Sequence, residues 1–305
     1  MKKIKIVADS ACDLVTLKQA DFTCVPMKIM TAKKEFSDDE ALDVNAMLQE
    51  LAQYQGKARS SCPGILDWLR AFGDADDIIC VTVSGALAGS SNAACTAKRY
   101  YESEYTGKRV FVADTLSAGP EMTLIVERIG ELIASGTSYG EICANVTEYM
   151  KGTGLLFALK SMKILTDNKR LSPETAKMAG IAGLRVIGKA DGDGKILPIG
   201  KCRGSHQALS LLTDALCAEG FRSGKIRIAH CQNESEAQTL REMILSRFPD
   251  ASVVVSPLRG ICSFYAEKGA ILLGFEKKIS NGAHMTNPEG SYIYFKINSE
   301  RHLRT

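Results

Sequence analysis

"DIICVTVSGALAGSSNAA", residues 77–94, decides how this chain of 305 residues is organised. Its first half is an apolar, β-branched run of the kind that forms a strand buried on both faces. Its second half turns to Gly, Ser and Ala, where a helix begins. A buried strand passing through a tight turn into a helix belongs to a parallel sheet, because parallel neighbours need a crossover connection.

Working outward, the same alternation repeats. "IKIVAD" (4–9), "TCVPMKIM" (23–30) and "RVFVAD" (109–114) read as strands. Between them, Val44, Met47, Leu48 and Leu51 share one helical face; Met122, Ile125, Val126, Ile129, Leu132 and Ile133 share another. "SYGEICANVTEYM" (138–150) starts a further helix with Ser138 and Glu141 spaced as a capping box. The first half is therefore read as an α/β/α layered unit with a parallel sheet.

The second half changes character. "LLFALKSMKIL" (155–165) precedes a helix started by Ser172 and Pro173. "VIGKADGDGKILPIGK" (186–201) reads as a hairpin about its Asp-Gly turn. A helix carrying Leu209, Leu212 and Leu216 follows. "KIRIAHC", a helix with Leu240, Ile244 and Phe248, "SVVVSP" and "AILLGFE" complete a second α/β unit. The glycines of "KGTGLL" (151–156) mark the boundary, so domains are expected over 1–153 and 154–279. The tail, 280–305, follows what reads as a natural end. In it "YIYFKI" could add a strand and "GAHM" also reads as a cloning remnant; no function is placed there.

Composition excludes several classes. Hydrophobic residues are 45% and charged residues 24%, with a formal charge of +3 and acids and bases interspersed. That is an ordinary globular protein without the basic stripe of a nucleic-acid binder. No apolar run is long enough for a membrane span, so stable membrane insertion is not expected. "MKKIKIVADS" reaches Asp9 too soon for a signal peptide and reads as a first strand. Ten cysteines lack any CxxC spacing and sit in apolar contexts, as buried thiols do in a reducing cytoplasm. Four histidines have no neighbouring ligands, so no metal is expected.

Ligands of open parallel sheets bind beyond the carboxyl ends of the strands. Four such ends are rich in Ser, Thr and Gly: "ADSACD" with Asp9 and Ser10, "ARSSCPG", "VSGALAGSSN" and "ADTLSAG" with Asp114. Helix starts there offer free N–H groups, and hydroxyls add donors, so an anion can be held without Lys or Arg. "GALAGSS" lacks the lysine of a nucleotide phosphate loop and is not GxGxxG. A small carboxylate fits such neutral donors. From these residues alone a second reading stays open, in which Ser84 and Ser90 cap a helix and Gly85 and Gly89 merely permit the turn.

Four segments together resemble the DegV family of bacterial fatty-acid-binding proteins. "IKIVADSACDL" is similar to its T-D-S-x-x-D-L, "RSSCPG" to its T-S-Q-P-S, and "VSGALAGSSNAA" to its S-S-G-L-S-G-T-Y-Q-S-A. "LKSMKILTDNKRLSPETAKMAG" and "DGKILPIGKCRGSHQAL" resemble its L-x-x-L-x-x-G-G-R-I-S and D-G-x-I with a downstream K-x-R. The order holds over roughly residues 3–278. The resemblance implies an α/β/α parallel-sheet domain followed by an α/β domain with a mixed sheet, and one long-chain fatty acid between them. It implies a carboxylate held by Ser60, Ser61, Ser84 and Gly85, with Asp9, Ser10, Asp114, Arg170, Arg203 and Tyr265 as supporting loop or mouth residues. It implies no cofactor and no catalytic step: a carrier presenting its lipid to a separate fatty acid kinase. Alternatives on the same scaffold are a small-molecule phosphotransferase and a lipid-sensing regulatory protein.

The chain departs from the family pattern in places. Gly85 replaces a serine, so the carboxylate relies on Ser60 or Ser61, Ser84 and backbone N–H groups. Tyr265 in "YAEKG" stands where the family has a histidine. Asn168-Lys169 replaces Gly-Gly, and Arg185-Val186-Ile187 replaces K-P-I. These last changes bear on the kinase partnership.

Overall fold

The computed structural model describes residues 3–178 and 183–277. The tail expected over 280–305 lies outside the described residues.

The chain opens with β1 (Ile4–Asp9), β2 (Asp21–Val25), β3 (Lys28–Met30), β4 (Glu35–Ser37), α1 (Val44–Gln53), β5 (Arg59–Ser61) and α2 (Ile65–Phe72). It continues through β6 (Asp77–Thr82), α3 (Ser90–Glu104), β7 (Arg109–Asp114), α4 (Pro120–Ala134) and α5 (Tyr139–Lys151). Strands β2-β1-β6-β7 form a wholly parallel sheet in that order. All six residues of β6 are buried, as its continuous apolar run requires once helices cover both faces. On one face α2 and α3 bring Trp68, Phe72 and Tyr101 into a core with Val7 and Ile78. On the other, α4 packs Met122, Ile125, Val126 and Ile129 against Ile6 and Ile79. The capping box of α5 forms, with the Ser138 amide donating to Glu141.

"TCVPMKIM" is two strands rather than one. Pro26 has no amide to donate, so β2 stops at Val25. The chain then turns off as β3 into a separate three-stranded antiparallel sheet, β4-β3-β5. This small sheet carries Ser60 and Ser61, which the sequence placed in a loop.

The rest is β8 (Thr153–Leu159), α6 (Lys163–Asp167), α7 (Pro173–Met178), β9 (Arg185–Ala190), β10 (Ile196–Cys202) and α8 (Ser205–Ala218). After these come β11 (Gly224–His230), α9 (Glu234–Arg247), β12 (Ala251–Pro257), α10 (Gly260–Ala266) and β13 (Ile271–Glu276). Six strands, ordered β10-β9-β8-β13-β11-β12, form a mixed sheet in which β11–β12 is the parallel pair. The hairpin between β9 and β10 forms as expected: Asp191 accepts the amides of Asp193 and Lys195, and Gly194 takes φ +74°. Alternation splits β8 cleanly. Leu156 and Ala158 join a core with α8 and α9, while Leu155, Phe157 and Leu159 face the first sheet.

Helix α4 is shared by both sheets. Gly274 in β13 lets it lie close, because a Cβ there would overlap the backbone of Pro120 and Glu121. On its outer side Glu127 accepts a bidentate pair of bonds from Arg227 of β11, and Glu131 meets Lys225.

Candidate functional site

Where β8, β13 and α10 of the second sheet layer face the loops of the first, they line a half-open cavity of about 120 Å³. Its wall is apolar: Leu155, Phe157 and Leu159 come from β8, Leu272 from β13, and Val83 and Leu87 from the first layer. An apolar lining of this kind offers water few partners and favours a hydrocarbon guest. Among its lining residues three carry nitrogen or oxygen in the side chain, Ser60, Arg170 and Tyr265, and nearly all the surface facing the cavity is carbon.

These three arrive from separate elements. Ser60 sits in β5, paired with Ile29. Tyr265 sits in α10, and its hydroxyl lies 2.6 Å from Ser60 Oγ. Arg170 follows α6 in a turn closed by its own amide donating to Leu165, and its Nη1 donates to the Asn168 carbonyl at 3.3 Å. Lys169 in that turn takes φ +57°, a left-handed conformation in which a glycine carries no Cβ penalty. Helix α10 is fastened at its start by Asp38, which accepts the amides of Gly260 and Ile261 at 2.9 Å each, and by Asp13, which accepts that of Arg259. Nothing in the sequence singled out Asp38: in "SDDE" it reads as one of a run of solvated acids.

Of the other expected residues, none lines this wall. Ser61, next to Ser60 in a strand, points to the opposite face. Ser84 is fully buried; its Oγ donates to the Gly194 carbonyl at 2.8 Å and accepts the Ala86 amide. The Gly85 amide donates to both carboxylate oxygens of Asp114 at 3.1 Å. A Cβ on residue 85 would press on Asp114 Oδ2 at 2.6 Å, so this geometry suits the glycine found there. Asp9 accepts Ser90 Oγ at 2.6 Å, the Val83 amide at 2.9 Å and the Ala11 amide at 3.2 Å. Burial pushes its carboxyl up to about 6 against the pull of those donors. Ser10 Oγ accepts the Met27 amide. Arg203 is exposed just before α8, off the cavity wall. Thus Ser60, Arg170 and Tyr265 are brought together, Asp9, Ser10, Ser84, Gly85 and Asp114 brace the loops, and Ser61 and Arg203 stand apart.

Glu121 is a buried acid that the sequence did not single out. It accepts Ser117 Oγ and Thr153 Oγ1, and burial raises its carboxyl. Among the described residues, no cluster of His, Cys, Asp and Glu is placed to hold a metal ion. No helix among them is long and apolar enough to cross a membrane.

A family model described as an uncharacterised protein of the DegV family matches residues 3–278. The chain belongs to the DegV family. A DegV domain-containing protein of Streptococcus pneumoniae is 38% identical over 276 residues, covering 89% of this chain and 98% of that protein. Two solved structures are similar over most of this chain. A family protein from Eubacterium eligens loaded with heptadecanoic acid has TM-score 0.87 and 39% identity, covering 90% of this chain and 100% of the other. The Fatty Acid Kinase B3 protein of Streptococcus pneumoniae loaded with linoleic acid has TM-score 0.88 and 37% identity, covering 90% and 99%.

Proposed function

We propose that this chain binds one long-chain fatty acid between its two sheet layers and presents the carboxylate to a separate fatty acid kinase. It is a carrier with no bond-making step of its own, working in the cytoplasm. The observation that carries this reading is the apolar cavity whose polar side chains are Ser60, Arg170 and Tyr265. The two fatty-acid-loaded relatives support it.

The chemistry follows from those groups. Ser60 and Tyr265 share one hydrogen between their oxygens, leaving a second free to donate to a carboxylate. Arg170 supplies a positive charge that lowers the cost of burying an anion. Ser84, Gly85, Asp9 and Asp114 act one layer back by fixing the loops, and the first domain ends near residue 153, where the wall passes to β8. A tail of about fifteen methylenes gains roughly 0.8 kcal/mol for each one buried, before ordering costs, so it dominates affinity. The head group need only be satisfied.

Denaturing extraction of the chain purified from bacteria, followed by mass spectrometry, is expected to release near-stoichiometric fatty acid. Absence of bound lipid together with absence of palmitate binding would overturn the reading.

A further inference from the structure

Resting on that reading, we infer that Gly188 and Phe157 together set the size of the acyl chain this cavity accepts. Phe157 of β8 lines the cavity and is the bulkiest side chain that strand contributes to it, between Leu155 and Leu159. In the antiparallel pairing of β8 with β9, Phe157 stands opposite Gly188. A Cβ on residue 188 would overlap Cζ and Cε2 of the Phe157 ring, and would lie 2.8 Å from the Leu197 carbonyl oxygen. The ring therefore lies back across β9, in space that exists because residue 188 has no side chain. Val186 and Ala190, on the same face of β9, both carry one and both pack in the core around the cavity.

The relationship is a retracted wall. With Gly188 in place the ring is held off the cavity. Any side chain at 188 drives the ring away, because the added Cβ is itself hemmed in by the Leu197 carbonyl oxygen and cannot yield. Rings move by rotamer, so the displaced Phe157 takes up length or width that the guest would otherwise occupy.

The test uses full-length protein, stripped of lipid and offered an equal mixture of myristate, palmitate, stearate and oleate, with retained acids measured by mass spectrometry. Gly188→Ala is expected to shift retention toward myristate, by about fourfold for each methylene expelled. Phe157→Leu with Gly188 kept is expected to shift it toward stearate and oleate. The double variant G188A/F157L is expected to return close to the wild-type ratio. Should G188A fail to fold, Phe157→Leu and Phe157→Trp decide the matter by opposite shifts. Wild-type retention with unchanged ratios in the Phe157 variants overturns this inference alone. Failure of the wild type to retain any of the four acids overturns the carrier reading and takes this inference with it.

Discussion

Ser84 donates its hydroxyl to the carbonyl of Gly194, 110 positions away in sequence, and the two buried groups tie the first parallel sheet to the β9–β10 hairpin. Replacing Ser84 by Ala leaves the Gly194 carbonyl buried without its donor. The expected cost is about 1–3 kcal/mol of stability, read as a lowered denaturation midpoint with unchanged slope. Faster amide exchange around 191–195 should accompany it. If exchange there stays as slow as in the parent, the hydroxyl is not what docks the hairpin.

The 2.6 Å contact between Ser60 and Tyr265 makes a second prediction. Ser60→Ala and Tyr265→Phe each strand the other hydroxyl, so the double variant should cost less than the sum of the singles. A coupling of about 1 kcal/mol in a double-mutant cycle is expected. Each single change should also weaken fatty acid retention by about tenfold through the lost donor to a charged group. Additive effects would show that the two act separately.

Asp9 gives stability a pH dependence of unusual sign. Its carboxyl is raised to about 6 by burial, above the ordinary 3.8. Between those values the folded state binds more protons than the unfolded chain. Its contribution therefore falls as pH rises from about 4 to about 6 and is constant beyond. Compared with Asp9→Asn, which cannot titrate, the parent should gain on the order of 3 kcal/mol on acidification through that window. Equilibrium unfolding of both proteins at closely spaced pH values checks this. A parallel pair of curves would mean that Asp9 ionises at an ordinary pH.

Arg227 and Glu127 join the mixed sheet to α4 through bonds of 2.7–3.2 Å, with the side chains 17% and 23% exposed. Partial burial makes this pair worth more than a surface ion pair. Glu127→Gln keeps the shape and removes the charge, and should cost about 1–2 kcal/mol in chemical denaturation. Raised salt should leave most of that difference in place. A difference that disappears in salt would class the pair with solvent-screened contacts.

Much of the architecture was legible in the chain itself. The buried run at Ile78–Val81, the helical faces at Met47 and Ile125, the Asp191–Gly194 turn and the Ser138–Glu141 cap each carry a local signal, because periodicity and turn chemistry act over a few residues. Pro26 was visible as a letter, but its effect, redirecting β3 into a third sheet carrying Ser60, depends on where the chain finds its next partner.

The site divides along the same line. Strand-end composition supplied the hydroxyl-bearing loops, and the family resemblance supplied Arg170 and Tyr265. The sequence could not say that Ser84 spends its hydroxyl on Gly194, that Ser60 meets Tyr265, or that Gly188 makes room for Phe157. Nor could it separate Leu155 and Phe157, which face a cavity, from Leu156, one position away in a filled core. An apolar side chain is the same whether its neighbour is another side chain or empty space. The strand's period decides which way it points, and only the packing of two distant layers decides what, if anything, stands opposite.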